Sequence, residues 1–439
     1  MSARPRLVVC GGGLAGIAAA CEGAGLGAEV TLVERRPFLG GKAFSFTDAD
    51  SGREVDNGQH VFLGCCTAYI RLLALLGTLD RTTLQARLDA PVRDRAGRRG
   101  VLRAAPLPAP LHLGPSFAAY PHLSAAEKAS ALRALAALAA LRPSARRALD
   151  DLSFAEWLAR HGQGDRAVRN FWDLIVLPTC NDRGDRVAAS LAAFVFQEGF
   201  LRTMRGSAIG WSRVGLTRLV DPAARAFLEA RGGRVIAGQA AVELAGGGVR
   251  LSDDTLLPAD GVVLAMPPGR VRSVAPEALP DDPRLGFSPI VNVHLWYDRP
   301  VMDVPFTAVV DGPAQWIFDR TALGHASRDG ARHVAVSISG ARAESEVERS
   351  ELSRAIVDEM RDLYPAARGA EIIDTAVVKE PQATFAAAPG QGGRRPGPRT
   401  GLPGVAIAGA WTDTGWPATM EGAVRSGIRA ARVAVPAAA

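Results

Sequence analysis

The residues of greatest chemical consequence lie at the two ends of the 439-residue chain. Near the N-terminus, LVVCGGGLAGIAAA sets Gly11, Gly13 and Gly16 in GxGxxG register, after an apolar strand (Leu7 to Cys10) and before a helix of small residues. Glycines at this spacing allow a tight strand-to-helix turn and a close approach to a pyrophosphate. The amides that open the helix at Leu14, Ala15 and Gly16 then face the negative charge. A second strand, AEVTLVE, ends in Glu34, 18 residues beyond Gly16, where an acid takes ribose hydroxyls; Arg35 beside it is a further cofactor candidate. The stretch AGAWTDTGWPATMEGAVRSG, Ala408 to Gly427, returns with a second glycine-spaced strand, turn and helix. One long ligand held at both ends fits FAD.

Smaller signals extend this groove. In RRPFLGGKAFSF the pair Gly40-Gly41 suits another close backbone approach, and Lys42 is placed to meet a phosphate. The strand around Val242 is where such folds pair backbone groups with an adenine. At the far end, Gly409 closes the last strand, and the final helix is expected to begin at Ala418 to Met420, with Thr419, Met420 and Glu421 at its N-terminus. There its amides would face the pyrimidine end of a reduced, negatively charged flavin. Seven scattered histidines and no Cys/His spacing exclude a metal site.

These ends must be positioned by the elements between them. The order reads as an α/β protein: a Rossmann-like FAD-binding domain from residues 1–65, 215–275 and 400–439, interleaved with a mixed α+β substrate-binding domain from 66–214 and 276–399. Residues 67 to 220 are largely helical in pattern, and residues 285 to 343 alternate as an antiparallel sheet. SAAEKASALRALAALAALR spaces Leu132, Leu135, Leu138 and Leu141 three apart, which reads as a packing helix or an interfacial membrane contact. Another helix is expected from an N-cap at Ser345 to Leu363, with Glu348 completing a capping box. The charge of +6 sits in Arg-rich stretches without interleaved aromatics, so nucleic acid is not expected, while weak attraction to an anionic membrane surface is consistent with it. Five cysteines, Cys65 and Cys66 adjacent, make no disulfide framework and point to the cytoplasm, with peripheral membrane association compatible. The apolar start resembles a signal peptide, but its glycines lie where a phosphate loop needs them, and no run is long enough to span a bilayer.

LGGKAFSF, VDNGQHVFLGCC, FWDLIVLPTCN (Phe171 to Asn181), VLAMPP and WTDTGWPATMEGAVRSG together resemble the flavin-containing amine oxidase and phytoene-desaturase superfamily. Within it the chain is most similar to the squalene-associated FAD-dependent desaturases, the hydroxysqualene dehydroxylases. The resemblance covers most of the chain. It implies reductive removal of the hydroxyl of hydroxysqualene, giving squalene for hopanoid synthesis: a hydrophobic C30 isoprenoid substrate, with upstream squalene-pathway synthases as partners. In relatives the DNGQH segment lies beside the isoalloxazine, which makes Gly58 and Gln59 cofactor contacts. Asp56 and His60 are then the candidate acids for the departing hydroxide, with Glu421 behind them. His60 reads equally as a structural histidine holding the turn, and Asp56 as a cap. Apolar helices and aromatics of the middle section (Phe171, Trp172, Phe194, Phe196, Phe200, Trp211) could line a tunnel or form ordinary core. Two rivals stand beside this reading: a carotenoid-type polyprene desaturase or isomerase, and a non-catalytic prenyl-binding protein like the GDP-dissociation inhibitors. One departure matters. Where the superfamily usually carries Asp or Glu after the final AG, this chain has Ala410, so Asp413 is the acid available to compensate.

Overall fold

The computed structural model describes residues 4–327 and 329–436. Its first strand, Arg6–Cys10, is apolar and buried over Leu7 to Cys10, the mark of a central strand covered on both faces. Five parallel strands form this sheet in the order Arg234–Ala237, Glu29–Glu34, Arg6–Cys10, Gly261–Leu264, Val405–Ile407. Strands far apart in the chain thus meet side by side, and the connections reverse direction across Arg6–Cys10. A crevice opens at such a reversal, beyond the carboxyl ends of the strands.

One face of the sheet is covered by helices Leu14–Gly25, Leu216–Glu229 and Met420–Ala434, which share a core of small and branched side chains. The other is covered by a three-stranded antiparallel sheet, Ala241–Ala245, Gly248–Leu251 and Leu256–Pro258, whose Val249, Leu251 and Leu257 pack with Val8, Val262 and Leu264.

The second body centres on a seven-stranded sheet in the order Ile372–Phe385, Phe287–Tyr297, Arg332–Ser339, Trp316–Asp319, Phe306–Val310, Asp89–Asp94, Arg99–Arg103. It is mixed rather than purely antiparallel, because Phe306–Val310 runs parallel to Asp89–Asp94. The stretch 67–220, read as largely helical, therefore also supplies strands: this hairpin, Thr82–Leu84 and Ile209–Ser212. All are short, and the hairpin strands are interrupted by charged residues, which hid their alternation. The Asn181 of FWDLIVLPTCN ends helix Asp173–Cys180 in the left-handed conformation (φ 56°) and ties it to the sheet. Its amide donates to the Ser288 carbonyl (3.0 Å) and Thr384 (2.9 Å), and accepts from the Gly340 amide (2.9 Å).

One helix start differs from expectation. Residues 342–346 form a separate turn of helix, and the long helix is Arg349–Leu363, capped by Glu348, whose carboxylate accepts from the Ser350 and Glu351 amides. Ser345 instead bonds back to the Ala341 carbonyl at 2.6 Å. A carboxylate at the positive helix end outcompetes the hydroxyl.

Candidate cofactor groove and active site

The phosphate-binding turn is built by backbone contact. Gly11 has φ +112°, and a Cβ there would sit 2.3 Å from the Ala265 carbonyl oxygen; one at Gly16 would sit 1.7 Å from the Gly11 oxygen. The Gly40 amide donates to the Gly12 carbonyl (2.9 Å), and Gly41 lies so close to Gly13 that its Cβ would be 2.7 Å from the Gly13 Cα. At Gly13 itself a Cβ would meet nothing nearer than 3.7 Å. Backbone packs tightly below the turn and space remains above it, a shape that fits a diphosphate. Leu14 and Ala15 are buried at the opening of the helix.

Glu34 ends its strand with both carboxylate oxygens engaged, by the Gly12 amide (2.6 Å) and the Arg36 amide (2.9 Å). Arg35 is exposed, so the arginine at the cradle is its neighbour: Arg36 donates to the Gly41 carbonyl at 3.0 Å and lies 4.6 Å over the Phe44 ring. Lys42 is also displaced from its expected role. Its ammonium reaches the Gln382 carbonyl and lies 5.4 Å from the Phe287 ring and 5.7 Å from Phe385. At the adenosine end, a register shift between Ala241 and Glu243 leaves Val242 outside the ladder with its side chain 39% exposed. The Gln239 amide, three residues earlier, donates to the Glu34 carbonyl (3.2 Å), which holds that strand beside the ribose site.

The C-terminal motif meets the same turn. Helix Met420–Ala434 lies on helix Leu14–Gly25 with Gly427 so close that a Cβ would be 2.0 Å from the Ala15 oxygen. Thr419 caps it by accepting from the Gly422 amide at 3.3 Å, and Gly409, at φ +148°, donates to Ser426 at 2.9 Å. Glu421 does not stand behind His60. Fully buried, it accepts from the Ala68 (3.0 Å) and Tyr69 (2.8 Å) amides at the start of helix Thr67–Leu75, and from Arg425 (2.7 Å). Asp413 does not replace the acid missing at Ala410: it is exposed and accepts from the Gly415 amide at 2.9 Å, capping its own turn. The loop is held by a residue that sequence reasoning missed. Arg395 donates to the carbonyls of Ala410 (2.8 Å), Thr412 (2.7 Å) and Trp416 (2.6 Å).

Asp56 and His60 stand in the third wall. Asp56 is buried and forms an ion pair with Arg320 at 2.6 Å while accepting from Ser45 (2.6 Å) and the Leu216 amide (3.1 Å). Burial raises its pKa, but Arg320 and these hydrogen bonds outweigh it and hold the carboxyl below its usual range. An ionised, fully bonded carboxylate is a counter-ion, not an acid. His60 shares a hydrogen at 2.9 Å between Nδ1 and the Gly58 carbonyl, so Nδ1 is the donor; burial lowers its pKa and favours the neutral ring. Gly58 lies against Asn292, a Cβ there falling 3.0 Å from Asn292 Nδ2, and the Gln59 amide donates to Asn292 Oδ1 (3.3 Å).

Behind the turn, Arg320 also donates to Gln59 Oε1 and approaches His325 Nδ1, both at 3.0 Å. His294 and His333 share a hydrogen at 3.0 Å. Burial and the Arg320 charge push His294 down to about 3 and His325 to about 4, and keep His333 well below its usual value. Asn292, His294 and His333 sit on strands that read as plain core, and Arg320 and His325 lie in the turn and loop after strand Trp316–Asp319; no local pattern marks them.

The aromatics proposed for a tunnel pack on one another: Trp172 meets Phe171 and Phe196 edge-on, each with centroids 5.0 Å apart. Phe194 meets Trp416 of the flavin motif at 5.0 Å. Among the described residues, no group of three or more His, Cys, Asp or Glu side chains could hold a metal ion, and no helix is long and apolar enough to cross a membrane.

The sequence and the fold are shared with known proteins. A profile described as "Flavin containing amine oxidoreductase" matches residues 14–435. The chain belongs to that family. It is therefore an FAD-dependent oxidoreductase. It is 31% identical to a hydroxysqualene dehydroxylase of Rhodopseudomonas palustris, over 98% of each chain. It is 26% identical to a chloroplastic/chromoplastic zeta-carotene desaturase of Zea mays, over 97% of this chain and 82% of that one. Among solved structures, an oxidoreductase from Methanosarcina mazei superposes with TM-score 0.73 at 16% identity, over 96% of this chain and 99% of that one, a likeness of fold. Of the candidate cofactor residues, Gly11, Gly13, Gly41 and Glu34 meet at one turn, and Thr419 and Met420 stand at the start of the C-terminal helix that packs on the helix leaving it.

Proposed function

We propose that the protein removes the hydroxyl of hydroxysqualene reductively, giving squalene. The full-length relationship to a hydroxysqualene dehydroxylase supports this, and one structural observation carries it beyond the family. Asp56, the buried carboxylate of the wall that also holds Gln59 and His60, is already paired with Arg320 and is not available to a cationic amine; Glu380 is the further carboxylate whose charge reaches His60. An uncharged polyprene needs no such partner and carries no ionic desolvation cost.

When bound and reduced, FAD supplies the hydride that replaces the hydroxyl on the allylic carbon. The C–O bond breaks, and the departing hydroxide takes a proton to leave as water. Asp56 and Arg320 act as positioning residues: Arg320 fixes the Gln59 amide, and both hold the turn. His60 is the group in that turn left to give the proton, in its imidazolium form. Its lowered pKa means that form thins out as pH rises toward neutrality. The upstream chemistry is a synthase that makes a hydroxylated C30 isoprenoid.

The test is the pH dependence of oxidation of the reduced holoprotein by hydroxysqualene in single turnover. The rate should fall about tenfold per pH unit above the His60 pKa, and His60→Gln should flatten that profile while leaving FAD affinity unchanged. A flat wild-type profile, or equal losses of rate and FAD affinity in His60→Gln, would show that His60 only holds the turn. The desaturase reading, supported by the zeta-carotene desaturase relative, predicts instead that the oxidised protein dehydrogenates a polyene.

A further inference from the structure

From Ala104 to Ala126 the chain carries no Asp, Glu, Lys or Arg. Its two histidines, His112 and His122, are buried, and that burial lowers their pKa, so the stretch is uncharged at neutral pH. Yet it is on the surface: Leu107 is 42% and Leu111 65% exposed. The next element, helix Ala125–Ala140, continues the same surface, since Lys128 near its start donates to the Ala118 carbonyl at 2.6 Å. One turn on, Leu132 is 52% exposed, and Ala129, Ala136 and Ala139 share its outward side. Its inward side, Ala131, Ala134 and Leu138, packs into the cluster that holds Phe171, Trp172 and Phe196. A surface helix that is apolar outward as well as inward has no reason to face water.

Charge is distributed to match. Residues 86–147, which contain this surface, carry eleven Lys or Arg against three Asp or Glu. Arg93, Arg95, Arg98, Arg99 and Arg103 are paired with carboxylates, so the cations left for a partner lie on and after the helix, where Arg133, Arg142 and Arg147 are exposed. Arg133 and Arg142 are exposed beside the apolar side, and the one acid of the helix, Glu127, is already paired with Arg166. Exposed leucines edged by arginines, with no free acid between them, suit one occupant: an anionic lipid surface.

We propose that the protein docks on anionic bilayers through residues 104–142, leucines in the interface and arginines at the headgroups. This deepens the reading of a polyprene substrate, which itself resides in membranes. It also places the aromatic cluster on the bilayer side of the fold.

The test uses purified holoprotein and flotation with vesicles. Wild type should bind phosphatidylglycerol-containing vesicles, bind phosphatidylcholine vesicles much less, and be released by salt. The combined Leu107→Asp, Leu111→Asp, Leu132→Asp variant should lose at least about tenfold in partitioning, because three exposed apolar anchors become charged. Leu256→Asp, at an exposed leucine elsewhere, should bind as wild type. FAD content and melting temperature should match wild type in both variants, which shows that they fold. Activity on detergent-dispersed hydroxysqualene should also survive in the triple variant; its absence in every form would overturn the proposed reaction and leave the vesicle result standing. Vesicle binding unchanged in the triple variant, or absent in wild type, would overturn the docking proposal. So would a concentration-dependent dimer lost in the triple variant without vesicle binding, which would assign this face to a second copy.

Discussion

Arg395 is a half-buried cation whose hydrogen-bond partners are four backbone carbonyls, those of Ala410, Trp411, Thr412 and Trp416, all in the loop that leads to the C-terminal helix. Burial lowers its pKa, partly offset by Asp413 and Asp150. Charge-assisted bonds of this kind contribute about 1.5–3 kcal/mol each where well formed, so Arg395→Met should loosen FAD binding by about tenfold or more, measured by calorimetric titration of apoprotein. The same assay addresses Ala410. Because Asp413 caps its own turn, Ala410→Asp should tighten FAD about tenfold and Asp413→Ala should leave affinity unchanged; a large loss in Asp413→Ala would give it the missing role.

The buried histidines make a second residue-scale prediction. Their folded pKa values lie below the unfolded value of about 6.5, so the unfolded chain binds more protons as pH falls below 6.5 and stability is lost there. It is fully present above that pH. Between pH 7.5 and 5.5 the loss should be about 2–4 kcal/mol, read from urea midpoints of the apoprotein. A midpoint constant across that window would mean that the His294–His333 pair and His325 are protonated in the folded state.

At the scale of elements, short-range patterns were legible and long-range ones were not. The strand–turn–helix at Gly11, Gly13 and Gly16 and the C-terminal helix starting at Met420 could be read directly, since their glycines and caps act within a few residues. The Asp56–Arg320 pair could not, because the two lie 264 positions apart and neither stretch marks the other. Adjacency to Glu34 singles out Arg35, but it says nothing about which side chain turns to Gly41, and that side chain is Arg36. Helix Arg349–Leu363 shows competition between two nearby caps. Glu348→Ala should cost about 0.5–2 kcal/mol in thermal or urea unfolding, whereas Ser345→Ala should cost less than about 0.5 kcal/mol. The reverse order would return the cap to Ser345.

On the scale of the whole molecule, the chain crosses repeatedly between two bodies, and the groove is complete only when segments from its beginning, middle and end are in place. Alternation of strands and helices foretold the parallel sheet and the α/β class. It did not foretell that Asp89–Asp94 and Arg99–Arg103 leave a helical stretch to edge the other sheet, since such a pairing is decided by which edge is open. The same arrangement sets the cofactor turn in one molecule with a wall whose Asp56 is paired with Arg320 and with an aromatic cluster, which together suit a polyprene and a hydride. The most direct test is anaerobic mixing of the photoreduced holoprotein with hydroxysqualene, followed through the flavin absorbance and by product analysis. The expected result is reoxidation of the flavin with one squalene formed for each flavin. Reduced protein that leaves hydroxysqualene untouched, while the oxidised protein dehydrogenates a polyene, would contradict it.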